Sequence, residues 1–162
     1  KHPIMGDKST DNPYGICFSQ LHALALADMD GDGIQDFVTG KRWKAHNGKD
    51  VGSHQPAYVY WFKNKRTKDG IDWVPHMIHD DSGVGVDVTV ADINDDGRLD
   101  VISGNKMGLA FHVQKKSVTA NAEEKWKIPG GRPQDQYGEG LSAEEATKKM
   151  EAPEHFSVDL IT

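Results

Sequence analysis

The sequence predicts an all-β fold built from two copies of a small antiparallel sheet, followed by a C-terminal segment of different character. The stretch at residues 27–40 recurs at residues 91–104, and in both copies an aspartate-rich loop lies between segments of alternating apolar and polar residues. Such alternation is typical of half-buried strands, so each loop joins two strands. The 17 glycines and the hydrophobic fraction of 36% indicate a loop-rich chain with a modest core.

Each copy is predicted to hold about four strands. In the first copy, Leu24 and Leu26 mark the strand before the loop, and Phe37 marks the strand after it. A later strand at residues 58–62 corresponds to residues 109–113 in the second copy. Because four antiparallel strands make up one blade of a β-propeller, the pattern indicates propeller-type blades.

The repeat sets the expected domain limits. Residues 2–4 resemble residues 76–78, and this similarity marks the first strand of each unit. We therefore expect a repeat module at residues 1–116, with blades at about 1–64 and 65–116. Two blades leave sheet edges uncovered, so we expect them to pack against partner chains or against the remaining blades of a larger protein.

The C-terminal segment differs in composition. Residues 117–140 are rich in Lys, Glu, Gly and Pro, which is typical of a linker. Ser142 and Glu145 have the spacing of a capping box, so a short helix is expected there. Residues 155–162 alternate again and predict a strand that needs a partner. Residues 141–162 are interpreted as the start of a following domain.

Both loops have acidic or amide residues at positions one, three, five and nine and glycine at position six. This spacing directs several oxygen atoms to one point while the glycine permits the turn, and hard oxygen ligands favour about two calcium ions per chain. The predicted ligands, with a main-chain carbonyl at position seven, are Asp28, Asp30, Asp32, Ile34 and Asp36 in the first loop and Asp92, Asn94, Asp96, Arg98 and Asp100 in the second. The alternative is a pair of solvated turns without metal, since Asp and Gly favour turns by themselves.

An EF-hand is excluded by two observations. Position twelve of each loop is Thr39 or Ser103, where an EF-hand requires a bidentate Glu. The flanking segments also have the period of strands, whereas an EF-hand loop lies between helices. Asn94 replaces an acid in the second loop, which implies one less negative charge and weaker binding there.

The two loops with their strands resemble the FG-GAP/VCBS repeats, the calcium-binding propeller blades that are also found in integrin α-chains. The resemblance covers about residues 21–113 and rests on the loop spacing, the flanking strands and the Gly that ends each copy. It implies a blade in which the loop forms a hairpin-like turn around calcium. Such propellers usually hold about seven blades, whereas this chain supplies about two.

A closer resemblance is to repeat regions of large exported multidomain proteins of planctomycetes and verrucomicrobia. It rests on residues 22–28, 39–43 and 80–85. In such proteins a segment similar to residues 141–146 and 153–156 precedes a second propeller related to sugar dehydrogenases, often followed by a haem-binding domain. The resemblance implies an alternative function as an accessory part of a carbohydrate-active or sugar-dehydrogenase-like enzyme.

The first copy contains an inserted loop at residues 41–57. An aromatic ring can stack on the C–H groups of a sugar while polar neighbours bind its hydroxyls, and loops often carry binding functions. The candidate ligand-binding residues are Trp43, His46, Asn47, Asp50 and His54. Two interpretations stay open, a glycan- or protein-binding module that uses this loop and an ordinary surface insertion.

Several other functional classes are disfavoured. Cys17 is the only cysteine, so it has no intrachain disulfide partner, and its apolar neighbours favour a buried position. His76 and His79 would point to opposite faces of a strand and so would not share a metal, and His112 is interpreted as a strand-surface residue. The net charge of −6 argues against nucleic acid as a partner. No apolar run long enough to span a membrane and no common catalytic motif is present.

We therefore expect a non-catalytic calcium-binding module that acts as scaffold or recognition surface. Extracellular calcium modules bind at about 10⁻⁴ to 10⁻³ M, which favours a secreted, periplasmic or cell-surface location. The chain begins at Lys1 without a signal peptide, so it is expected to be a processed product or a fragment.

Overall fold

The computed structural model describes residues 4–115 in full and the backbone of residues 156–161. The first sheet consists of β1 (Leu21–Ala27), β2 (Asp36–Lys41), β3 (Val59–Thr67) and β4 (Gly70–His79). The second consists of β5 (Val88–Ala91), β6 (Asp100–Asn105) and β7 (Gly108–Gln114), and the backbone of β8 (Phe156–Ile161) pairs with its edge. All six strand pairs are antiparallel, and within residues 4–115 each pair joins strands that are consecutive in the chain. The prediction of an all-β, antiparallel fold is confirmed.

Helical structure is minor in the described residues. It is limited to short 3-10 turns at Ser9–Asp11 and Ala45–Gly48. Within residues 4–115 and 156–161, no helix is long and apolar enough to cross a membrane. The predicted linker at residues 117–140 and the predicted helix near Ser142 lie outside the described residues.

The strand that contains residues 76–78 belongs to the first sheet. It pairs along its whole length with β3, from Val59 opposite His79 to Thr67 opposite Gly70. The turn at residues 68–69 returns the chain onto β3, as a tight hairpin connection does. The division expected near residue 64 therefore falls inside β3, and the first sheet extends to residue 79.

The C-terminal strand also has a definite partner. β8 runs antiparallel to β7, with Leu109 opposite Ile161 and Gln114 opposite Phe156. The sequence predicted a strand that needs a partner and interpreted residues 141–162 as the start of a following domain. Its backbone hydrogen bonds instead join it to the second sheet.

The pairing of strands shifts one predicted correspondence by a residue. Phe37 pairs with Phe62 in the first sheet, and Val101 pairs with His112 in the second. Phe62 therefore corresponds to His112 and Trp61 to Phe111, whereas the sequence comparison matched Trp61 with His112. Because side chains alternate between the faces of a strand, this one-residue slip exchanges the two faces.

One apolar cluster lies where the two sheets meet. Strand β1 packs against β5, and the cluster combines residues of both sheets with Val84 of their connection. Its buried members are Met29, Val38, Val59, Trp61, Ile78, Val84, Val88 and Val101. The connection is fixed to the end of β2 by main-chain hydrogen bonds, including Val84 N–H to Lys41 O at 2.9 Å and Trp43 N–H to Val84 O at 3.1 Å.

A second apolar cluster covers the other face of the first sheet. The N-terminal segment inserts Ile16 and Phe18 against Phe37, Tyr60 and Phe62. The Phe18 and Tyr60 rings are stacked, with centroids 5.6 Å apart. This segment therefore shields the face of the first sheet that does not contact the second sheet.

Cys17, between these two buried residues, is only partly buried. Its Sγ lies 3.6 Å from the main-chain oxygen of Gly6. The sequence predicted a buried position. The side chain instead points away from the apolar face because residues alternate along an extended segment.

Candidate metal centre

The first aspartate of the first loop, residues 28–36, holds the backbone of that loop. Oδ1 of Asp28 accepts hydrogen bonds from the main-chain N–H groups of Gly31 at 2.9 Å and Asp32 at 3.0 Å. Oδ2 accepts one from Gly33 at 2.8 Å. Gly33 has a φ of 82°, a conformation that L side chains rarely adopt. Glycine at position six is therefore required by the turn.

Three carboxylates of this loop form a group that could hold a metal ion. One oxygen each of Asp28, Asp30 and Asp36 lies within 4.8 Å of the others. Asp30 is exposed, Asp28 is half-buried and Asp36 is fully buried. Carboxylate oxygens in irregular geometry are the ligands that Ca²⁺ takes, so the donor set fits a hard divalent cation.

Asp36 links the loop to the neighbouring strand. Its Oδ2 accepts hydrogen bonds from Met29 N–H at 3.2 Å and from the indole Nε1 of Trp61 at 2.9 Å. Its Oδ1 accepts one from Asn64 N–H at 2.7 Å. Burial raises the pKa of Asp36, and these hydrogen bonds oppose the shift because they favour the charged form.

Asp32 lies outside this three-carboxylate group. Its Oδ1 accepts a hydrogen bond from Ile34 N–H at 2.9 Å, and its Oδ2 is 3.2 Å from Nζ of Lys63, which also forms an ion pair with Asp30. The bond from Ile34, and then Lys63, lowers the pKa of Asp32. The ion pair with Asp30 raises the pKa of Lys63. In this structure Asp32 therefore contacts Lys63 rather than the other three carboxylates.

The second loop, residues 92–100, repeats the backbone arrangement. Asp92 accepts hydrogen bonds from Asp96 N–H at 3.1 Å and Gly97 N–H at 2.7 Å. The bond from Gly97 is the main cause of a lowered pKa for Asp92. Gly97 has a φ of 82°, equal to that of Gly33. The two loops are therefore geometric copies at their first and sixth positions.

The second loop has one fewer carboxylate at the four predicted side-chain ligand positions. Asp100 is fully buried and accepts hydrogen bonds from Ile93 N–H at 3.1 Å and Gln114 N–H at 2.8 Å. Asn94 stands where the first loop has its exposed aspartate, and its amide donates to Asp96 at 3.0 Å. Positions one, three, five and nine of the second loop therefore carry three carboxylates, whereas those of the first loop carry four.

A comparison with known families places both loops in one recognised unit. Residues 28–103 match an FG-GAP-like repeat. The matched stretch begins at the first aspartate of the first loop and includes the whole second loop. No curated protein and no solved structure matches the chain.

The inserted loop brings two of its predicted residues together. Nδ1 of His46 lies 2.6 Å from Oδ2 of Asp50, and the His46 side chain is 70% exposed. Asn47 accepts a hydrogen bond from Nζ of Lys106 at 3.3 Å. His46 and Asn47 both have positive φ, at 46° and 57°, which is uncommon for residues other than glycine.

The two other predicted residues of the loop do not join this pair. The Trp43 ring has Nζ of Lys44 at 5.4 Å from its centroid, within the range of a cation–π contact. His54 is exposed and lies beside Gly48. The structure therefore shows a pair formed by the exposed His46 and by Asp50, with the half-buried Trp43 ring apart from it.

Sequence reasoning missed the basic partners of the two loops. Lys63 of β3 pairs with Asp30 in the first loop. The guanidinium of Arg98 pairs with Asp96 in the second loop, whereas the sequence predicted only the main-chain carbonyl of Arg98 as a ligand. The pairing of Phe37 with Phe62 brings β3 beside the loop, and no short-range pattern signals that contact. For Arg98, its position within the loop was a signal that could have been used.

Two buried polar groups were also missed. Lys41 is 1% exposed, and its Nζ donates to Gln20 Oε1 at 2.7 Å; burial lowers the pKa of Lys41 to about 8. His112 is fully buried beside His79, with ring centroids 5.8 Å apart. The prediction of a surface position for His112 is wrong because its strand face packs toward the first sheet. Burial, and then His79, lowers the pKa of His112 to about 3.

Proposed function

We propose that this chain is a calcium-binding, β-propeller-type repeat module that serves as a non-catalytic scaffold or recognition surface. The observation that carries the proposal is the first loop. Three carboxylates, of Asp28, Asp30 and Asp36, converge within 4.8 Å around a backbone shaped by Asp28 and Gly33. Like charges at this separation disfavour the charged form of each group, and a divalent cation removes that cost.

The role of calcium in this proposal is structural. Each loop connects two strands, and Met29 of the first loop is buried in the cluster between the sheets. An ion bound to the loop therefore fixes strand ends that a modest apolar core also holds. Binding to the folded state alone stabilises that state by mass action.

The proposed setting is an exported protein. FG-GAP-like repeats are commonly extracellular, and the weak sites of extracellular calcium modules suit millimolar calcium. Further blades or a partner chain are proposed to pack on β1, which among the described strands pairs only with β2 and which exposes apolar side chains. These are Leu21, Leu24 and Leu26, exposed by 49%, 59% and 61%. Concentration-dependent association of the isolated chain that is lost in Leu26→Lys supports this surface, and association that Leu26→Lys leaves unchanged contradicts it.

Calcium-dependent unfolding tests the main proposal. With a dissociation constant of about 10⁻⁴ M, 10 mM calcium stabilises the folded state by about 2.7 kcal/mol per site. For a domain of this size, two sites raise Tm by about 10 °C or more. Magnesium gives a smaller shift because it demands octahedral geometry and releases its water reluctantly. The measurements are thermal unfolding with calcium, magnesium or chelator, and calorimetric counting of bound calcium.

Matched variants locate the ions. Asp28→Asn and Asp92→Asn each remove one site, so each lowers the count of bound ions by one. Asp69→Asn, in the exposed turn between β3 and β4, changes the same charge away from both loops and leaves the count unchanged. Absence of binding and of any calcium-specific change in Tm contradicts the proposal, and the loops are then turns without metal.

A second candidate function is ligand recognition by the inserted loop. The exposed pair of His46 and Asp50 and the backbone strain at His46 and Asn47 favour it, since strained residues cluster at functional sites. A glycan panel tests this function. Binding that is lost in Trp43→Ala while calcium binding is retained supports it, and no binding on the panel contradicts it. The enzyme-accessory alternative rests on residues 141–146 and 153–156, and of these the structure describes only the backbone of Phe156.

A further inference from the structure

A lysine from a neighbouring strand contacts the first loop. Lys63 projects from β3, and its ammonium forms ion pairs with both Asp30 and Asp32, the second at 3.2 Å. Its side chain is 29% exposed, so the contact is partly shielded from solvent. Asp30 is one of the three carboxylates that converge in this loop. The lysine therefore neutralises oxygens that a metal ion would also use.

The second loop has a different arrangement. The pairing of strands makes Val113 the counterpart of Lys63, because Phe62 corresponds to His112. The basic group there is Arg98, whose guanidinium pairs with Asp96 and donates through Nε to a main-chain oxygen at 3.0 Å. Arg98 belongs to the loop itself. It has no carboxylate to pair with at position three, because that position is Asn94 in this loop. The chain thus provides an internal comparison.

We infer that Lys63 is a tethered counter-ion of the first loop, which occupies Asp30 and Asp32 in the metal-free protein and is displaced when calcium binds. The inference rests on the proposed calcium binding and adds how the affinity of one site is set. An ammonium and a calcium ion compete for the same carboxylate oxygens. Because the lysine is attached to β3, it is present at high local concentration. It weakens calcium binding and keeps the metal-free loop ordered.

Lys63→Met tests both consequences when compared with Lys65→Met. Lys65 lies two residues further along β3, is exposed and forms no ion pair among the described residues, so its replacement changes the net charge equally without touching the loop. Both variants are made with Asp92→Asn, so that calorimetry reports the first loop alone. Loss of one exposed ion pair changes an equilibrium constant by about two- to fivefold. Lys63 forms two such ion pairs, with Asp30 and with Asp32.

The expected result for Lys63→Met is calcium affinity about three- to tenfold higher and a lower Tm in chelator. Lys65→Met changes the affinity by less than about twofold. Equal affinities for Lys63→Met and Lys65→Met, beside a calcium-binding parent, overturn the inference and leave the proposed function intact. A parent that binds no calcium overturns both. Lys63→Gln, which keeps a neutral hydrogen-bond donor, replaces the Met variant if that variant does not fold.

Discussion

Replacing Asp36 by Asn tests whether the base of the first loop is held by hydrogen bonds to a carboxylate. Asp36 is fully buried, and its two oxygens accept three hydrogen bonds, two from main-chain N–H groups and one from the indole of Trp61. An Asn side chain has the same shape but presents an NH₂ group at one of the oxygen positions. At least one of the three buried donors then faces another donor.

The magnitude follows from the number of donors that lose an acceptor. Each buried donor without a partner costs about 1–3 kcal/mol, and hydrogen bonds to a charged acceptor are about twice as strong as neutral ones. Burial disfavours the charged carboxylate and so raises the pKa of Asp36. Replacing the charged group by a neutral amide therefore offsets part of this loss. We expect Asp36→Asn to lower the free energy of unfolding by about 1–3 kcal/mol in the presence of chelator.

Denaturant unfolding in chelator is the assay, because it removes any contribution of bound metal. Asp69→Asn is the matched control, since it makes the same substitution in an exposed turn and is expected to change stability by less than about 0.5 kcal/mol. An Asp36→Asn protein as stable as the control would refute the reasoning. The three hydrogen bonds would then contribute nothing net to the fold.

Three further predictions concern other parts of the chain. The folded-state pKa of His112, about 3, lies below its ordinary value of 6.5, so the unfolded chain binds the extra proton first. The neutral histidine contributes its full stability above pH 6.5 and progressively less toward pH 3. When unfolding is measured in chelator at pH 7.5 and at pH 5.5, His112→Gln should lose less free energy of unfolding between the two pH values than the parent protein. Gly40→Ala should destabilise the fold by about 2 kcal/mol or more, because a Cβ would lie 2.5 Å from the main-chain oxygen of Tyr58. Gly33→Ala meets no atom within 4 Å, so it should cost only about 1–2 kcal/mol of backbone strain, and equal losses would contradict this reasoning. Asn94→Asp places a carboxylate at position three of the second loop, as in the first loop, and should tighten calcium binding there, as measured by calorimetry with Asp28→Asn in the same chain.

The sequence by itself determined the local features of this protein. Alternation of apolar and polar residues located the strands around each loop, because the period of a strand is a local property. Aspartate spacing with glycine at position six located both turns, and Gly33 and Gly97 adopt the positive φ that this spacing requires. The convergence of Asp28 with Asp36 follows from the same short segment.

Only the tertiary structure decided which strands pair and what lies beside the loops. The membership of β4 in the first sheet, and the one-residue register between the two copies, depend on hydrogen bonds between strands rather than on sequence periodicity. The contact of Lys63 with Asp30 joins residues far apart in the chain. The burial of Lys41 and His112 likewise depends on packing between elements, because a strand pattern shows that two faces exist but does not specify what covers each face.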